Sequence, residues 1–228
     1  MNIAALYSGG KDSTMALDWA LKQGHKVVCL ITLKSKRDDS YMFHIPNIEL
    51  VKVQAEAIGI PLIFEESSGI KEKELEDLER AIKIAIKKFA IEGLVAGALA
   101  SQYQLERVEK IARDLNLKAF APYWHYDMEE YIKLIIKLGY DARITGIAAD
   151  GLDERWLGRK IDEKFLSDIK KLHDKFSVHI GLEGGEGETI VLDGPIFKKR
   201  LEIVSAQNVM ENRCTGHHVI KEVRLVDK

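Results

Sequence analysis

Cysteine is scarce in this chain: Cys29 and Cys214 are the only two in 228 residues. Two cysteines make no disulfide framework and no paired ligand motif, which suits a reducing cytosol. Long apolar runs are missing as well, and nothing reaches the ~20 residues that a membrane helix needs. The N-terminus has neither the charged start nor the cleavage pattern of a signal peptide, so the expected location is cytoplasmic, with no membrane partner. Neither sign of charge prevails. Lys and Arg number 34 against 36 Asp and Glu, a net charge of −2, which argues against a general nucleic-acid surface. Proline- or serine-rich linkers, internal repeats and low-complexity tracts are absent. A Walker A loop is absent too, because Lys11 is followed by Asp12 where that motif needs Ser or Thr.

What is present begins with alternation. Apolar runs at 3–7, 26–33, 61–64, 93–98 and 118–121 predict buried parallel strands, and helical patterns lie between them at 13–23, 47–58, 71–91 and 102–115. Such alternation implies right-handed crossovers and an α/β fold, a parallel five-stranded sheet covered by helices. Winding outward through strands two and three and then back beside strand one gives the order 3-2-1-4-5. The switch point then falls between strands one and four, where a nucleotide belongs. Beyond about Tyr123 the pattern loosens into helices at 127–138 and 162–176 with strand-like runs at 142–148, 188–192, 200–210 and 217–226. The expected division is a nucleotide-binding domain over 1–125 and a smaller mixed α/β domain over 126–228.

Residues 8–13 read Ser-Gly-Gly-Lys-Asp-Ser, between the first strand and the first helix. A glycine turn at a helix N-terminus aims backbone N–H groups at one point, where an anion fits. Gly9 and Gly10 allow close approach of a phosphate, Ser8 and Ser13 offer hydroxyls, Lys11 adds a cation, and Asp12 or Ser13 can cap the helix. Across the predicted crevice lies Gly97, with Ser101 as an N-cap and Gln104 at the capping-box position; Gln104 and Arg107 could also reach a phosphate or an activated carboxyl. His44 and Asn47 fall in the long connection after strand two, a place for a ligand-ordered loop or for a helix cap.

The second strong signal is Glu183-Gly184-Gly185-Glu186-Gly187-Glu188-Thr189. Three carboxylates would repel phosphate, so its glycines do not make another phosphate cradle. Clustered carboxylates attract cations and suit a general base; an acidic, solvated hairpin loop is the other reading. Tyr123, Trp124 and Trp156 lie in loop-like segments, where aromatic faces could bind a quaternary ammonium group or pack between domains. Cys214-Thr215-Gly216-His217-His218 has no second ligand pair at workable spacing, so no zinc site is expected.

With both glycine motifs in view, the chain resembles the diphthine–ammonia ligase family of N-type ATP pyrophosphatases, in its compact archaeal form. The matching pieces are the PP-loop at 8–13, the segment from His44 to Asn47, residues 97–109, Pro122-Tyr123-Trp124, and residues 151–159 and 183–194. That resemblance implies a Rossmann-like, adenine nucleotide alpha hydrolase-like sheet domain followed by a family-specific domain carrying the acidic motif. It implies ATP as substrate, with Mg2+ on its phosphates, and ammonium and diphthine-bearing translation elongation factor 2 as partners. Diphthine becomes diphthamide through an acyl-adenylate, releasing AMP and pyrophosphate. In that reading Lys11, Gln104, Arg107, Glu183, Glu186 and Glu188 serve catalysis, and Ser8, Gly9, Gly10, Lys11, Asp12, Ser13, His44, Gly97 and Ser101 bind the nucleotide. Gly187 stands where the family usually has a larger, often aromatic residue, and Tyr123 where Leu is common. The extra C-terminal domains of eukaryotic relatives are not expected, and a homodimer is left open. The rival readings are a tRNA-modifying PP-loop enzyme and a nucleotide-binding module without chemistry.

Overall fold

The structure is a computed structural model that describes residues 1–35, 47–69, 73–99 and 102–228; the side chains of Tyr103 and Gln104 are also outside the description. The chain forms two compact units, one of residues 1–8 and 12–124, the other of residues 9–11 and 125–228.

The first unit is built on five parallel strands: β1 (Asn2–Leu6), β2 (Lys26–Ser35), β3 (Leu62–Ser67), β4 (Gly93–Val95) and β5 (Lys118–Phe120). Their order is β3-β2-β1-β4-β5, the order that the alternation predicts. β1 is central, and Ile3, Ala4 and Ala5 are fully buried because helices cover the sheet. The crossovers are α1 (Lys11–Lys22), α2 (Val51–Ile58), α3 (Lys73–Phe89) and α4 (Gln102–Asp114). α3 places Leu78, Ala81, Ile82 and Ala85, spaced three and four apart, on one stripe. That stripe packs with Ile31, Leu33, Ile63 and Leu94 of the sheet. The small alanines let helix and sheet approach closely.

The second unit holds α5 (Met128–Lys137), β6 (Asp141–Ala148), α6 (Glu163–Phe176), β7 (Gly187–Asp193), β8 (Lys199–Met210) and β9 (Thr215–Asp227). Asp127 caps α5 by accepting from the Glu130 amide, and Asp162 caps α6 by accepting from the Phe165 amide at 2.7 Å. The sheet is antiparallel, in the order β7-β6-β9-β8. β9 pairs with β6 only over residues 215–217, so most of its length joins β8 in a two-stranded ribbon.

Candidate functional site

The glycine turn at 8–13 is fixed first from the β1 side. The Tyr7 amide donates to the Ile31 carbonyl at 2.8 Å, and the Thr32 hydroxyl donates to the Tyr7 carbonyl at 2.6 Å. Gly9 adopts φ +80°, a left-handed turn that glycine makes without strain. Ser13, in the first turn of α1, returns its hydroxyl to the Ser8 amide at 3.2 Å and meets the Ser8 hydroxyl at 3.1 Å. Gly97 closes the other side. A Cβ there would stand 2.5 Å from the Asp12 carbonyl carbon and 2.6 Å from the Ser13 amide nitrogen. Gly97 therefore lets the turn after β4 lie directly on the start of α1. This brings Ser8, Asp12, Ser13 and Gly97 of the first unit together at the switch point.

The rest of the turn belongs to the second unit. The Lys11 amide donates to the Thr189 hydroxyl at 3.1 Å, and the Val191 amide donates to the Gly9 carbonyl at 2.9 Å. Lys11, only 3% exposed, reaches Glu183 with an Nζ to Oε1 distance of 3.2 Å. A buried lysine needs such a counter-charge, because removing the ammonium from water is costly. Glu183 thereby belongs with the PP-loop lysine.

The acidic loop bends at Gly184 (φ +85°) and Gly185 (φ +88°), where an added Cβ would meet open space, so backbone conformation is what calls for glycine there. Glu186 then folds inward. Its Oε1 accepts from the His179 amide at 3.0 Å, and its Oε2 is buried with no hydrogen-bond partner among the described residues. Glu188, the second residue of β7, lies opposite Gly146 of β6, whose other neighbour is His217 of β9. A Cβ at Gly146 would lie 3.1 Å from the Glu188 Cβ and 3.5 Å from His217 Nδ1. Glu188 and His217 thus flank a bare stretch of β6, and His217 Nε2 meets Glu211 Oε1 at 3.2 Å.

The remaining sequence candidates lie on other elements or outside the described residues. α4 carries Gln104 and a half-buried Arg107, while His44 and Ser101 lie outside the described residues. Asn47, with φ +67°, precedes a short 3-10 helix at Ile48–Leu50 as its N-cap, with no side-chain capping bond. Trp156 is 6% exposed, with the Arg159 guanidinium 4.5 Å over its ring and Phe165 edge-on at 5.7 Å. That face is occupied, so Trp156 packs within the second unit and is not available to a trimethylammonium group. At Gly187, a Cβ would come within 3.1 Å of both the Gly146 carbonyl oxygen and Leu182 Cδ1. Buried Leu182, held at φ +57°, crowds the position where a larger side chain was expected.

Sequence reasoning did not single out His179, Thr189 as a partner of the PP-loop, or Leu182. The hydroxyl that closes the acidic motif was a usable signal for Thr189; the other two had none. A surface hollow of about 280 Å³, lined by Ile136, Tyr140, Ile161 and Lys164 at the end of α5 and the start of α6, contains none of these groups.

Residues 1–119 match the diphthamide synthase N-terminal domain, and residues 127–226 match the diphthamide synthase C-terminal domain. The chain belongs to the diphthine–ammonia ligase family. The human diphthine–ammonia ligase is 34% identical over 93% of this chain and 86% of its own length; the bovine one is 34% identical over 100% and 91%. The Schizosaccharomyces pombe relative is 33% identical, and the match spans 37% of that longer protein. The match thus spans most of the mammalian relatives and about a third of the two yeast ones. With its family, the chain is a ligase. Among solved structures, a predicted subunit of tRNA methyltransferase from Methanocaldococcus jannaschii is 15% identical with a TM-score of 0.44, over 85% of this chain and 97% of that one.

Proposed function

We propose that this ligase amidates diphthine on translation elongation factor 2, using ATP and ammonium and releasing AMP and pyrophosphate. Family membership supports the reaction class. The observation that carries the residue assignment is the 3.2 Å contact of Lys11 with Glu183, which joins the PP-loop cation to the acidic motif.

The diphthine carboxylate attacks the α-phosphorus of ATP, and the bond to the bridging oxygen breaks. The departing pyrophosphate gathers charge that Lys11 and the amides at the start of α1 offset. Lys11 meets this demand from a buried position, where its charge is screened little by water. Ammonia then adds to the acyl carbon and AMP leaves. The ammonium ion must first lose a proton, and Glu186 is the base we assign. Its Oε2, which has no hydrogen-bond partner among the described residues, can receive an N–H donor, whereas Glu183 already balances Lys11. Gln104 and Arg107 of α4, with Glu188, remain candidates for orienting the substrate. Among the described residues, no group of three or more His, Cys, Asp or Glu side chains is placed to hold a metal ion. Mg2+ would accordingly arrive with ATP, held chiefly by its phosphates, as this ion commonly is.

The test is incubation with diphthine-bearing elongation factor 2, ATP and ammonium, with mass spectrometry of the modified residue and separation of the nucleotides. Lys11→Ala should weaken ATP binding more than AMP binding, since it removes charge from the pyrophosphate end. Glu186→Gln should leave ATP affinity nearly unchanged and slow amide formation by about 10²-fold or more. Release of ADP and phosphate would overturn the adenylate route, and wild-type amidation by a folded Glu186→Gln protein would remove Glu186 from the base role.

A further inference from the structure

We propose that His179 is the positioning residue of the acidic loop, setting Glu183 and Glu186 for the ammonium step; this rests on the function proposed above. His179 sits just past α6, in a segment fixed on its own account. Ser177 ends the helix at φ +59° and donates its amide to the His173 carbonyl at 2.8 Å. His173 Nδ1 lies 3.0 Å from the Val178 carbonyl oxygen, and the Val178 side chain is buried. From that anchor His179 makes four hydrogen bonds to the loop that follows it. Its amide donates to Glu186 Oε1 at 3.0 Å, and its carbonyl accepts from the Leu182 amide at 2.8 Å. Its ring nitrogen Nδ1 accepts from the Gly181 amide at 3.2 Å and from the Glu183 amide at 3.3 Å.

Two backbone donors converge on Nδ1, so that nitrogen bears no hydrogen. The neutral ring carries its proton on Nε2 instead. The ring also lies against Gly181, where a Cβ would be 3.4 Å from its Cε1 and 2.9 Å from Met128 Sδ. The consequence for the carboxylates is direct. Glu183 leaves the turn with its amide tied to the ring, while Glu186 has one oxygen tied to the main chain of the same residue. A single residue therefore holds both acidic groups, Glu183 through its ring and Glu186 through its main chain. What the loop requires of position 179 is an acceptor one bond beyond Cγ. Asparagine Oδ1 supplies that and alanine does not.

Two measurements test this. Long-range 1H–15N spectra of the wild-type protein should show His179 as the Nε2–H tautomer. Steady-state kinetics should then compare His179→Ala with His179→Asn, using thermal unfolding to confirm that each is folded. His179→Ala should raise the KM for ammonium roughly tenfold or more while leaving the KM for ATP within about twofold, because misplaced groups cost rate at the step they serve. His179→Asn should restore the ammonium KM to within about threefold of wild type. An alanine variant with wild-type ammonium KM, or an asparagine variant as impaired as alanine, overturns the proposal. If the wild-type protein forms no amide, the proposed function has failed by itself. The tautomer then decides the structural half of the inference: a hydrogen on Nδ1 refutes it, and faster exchange of the Gly181 and Glu183 amides in His179→Ala sustains it.

Discussion

Substituting Gly97 with alanine adds one methyl group at the place where the turn after β4 meets the start of α1. The new Cβ would stand 2.5 Å from the Asp12 carbonyl carbon, 2.6 Å from the Asp12 carbonyl oxygen and 2.6 Å from the Ser13 amide nitrogen. All three are backbone atoms, so no side chain can swing aside. Ordinary contact begins at about 3.4 Å, and the two segments must part by roughly 1 Å. Overpacking of this kind typically costs about 1–3 kcal/mol. In a chain of this length that lowers Tm by roughly 2–12 °C. The larger effect should fall on the nucleotide. A recoil of ~1 Å takes an amide that met a phosphate at ~2.9 Å out of hydrogen-bonding range. One lost bond to a charged group is worth about 1.5–3 kcal/mol, roughly ten- to a hundredfold in Kd. Calorimetric titration with ATP, beside thermal unfolding, reads both quantities. A Gly97→Ala protein with wild-type ATP affinity and wild-type Tm would show that this turn does not confront the PP-loop helix.

Two further predictions use other parts of the molecule. Burial pushes the Cys29 thiol up to about 12, and the residue is fully inaccessible, whereas Cys214 is half-buried with its thiol 3.4 Å from Asn212 Oδ1. A neutral thiol reagent should therefore modify Cys214 in the native protein and Cys29 roughly a thousandfold more slowly, after opening; two fast thiols would refute this. The side chains of Lys164, Arg159 and Lys171 hold the Asp168 carboxyl well below the usual carboxylate range. A depressed carboxylate contributes stability that is present above its unfolded pKa and is lost as pH falls through its folded value. Asp168→Asn should thus lower Tm at pH 7, and its gap from wild type should close in strong acid; a gap that is constant with pH would refute the assignment.

Much of the first unit was legible because its signals are local. Continuous apolar strands, amphipathic helices and right-handed crossovers leave few orders open, and 3-2-1-4-5 followed with the PP-loop at its switch point. The strand-like runs of the second unit were legible too, at nearly their observed ends. Their pairing was not. Antiparallel neighbours can be joined in several orders, and nothing local says that β9 spends three residues on β6 and the rest on β8.

The residue types of the site were likewise written in the chain, because an anion cradle needs glycine and lysine and a cation site needs carboxylates. Which of them meet was decided by the tertiary structure. The contacts of Lys11 with Glu183 and Thr189 span 172 and 178 residues, beyond the reach of any periodicity. His179 shows the same limit at short range. A lone histidine in a loop carries no pattern, and its four bonds to the acidic turn exist only once the backbone has folded around it. Composition and spacing determine what chemistry a chain can hold. Hydrogen-bond geometry, which is directional and lost within about an ångström, determines which residues perform it.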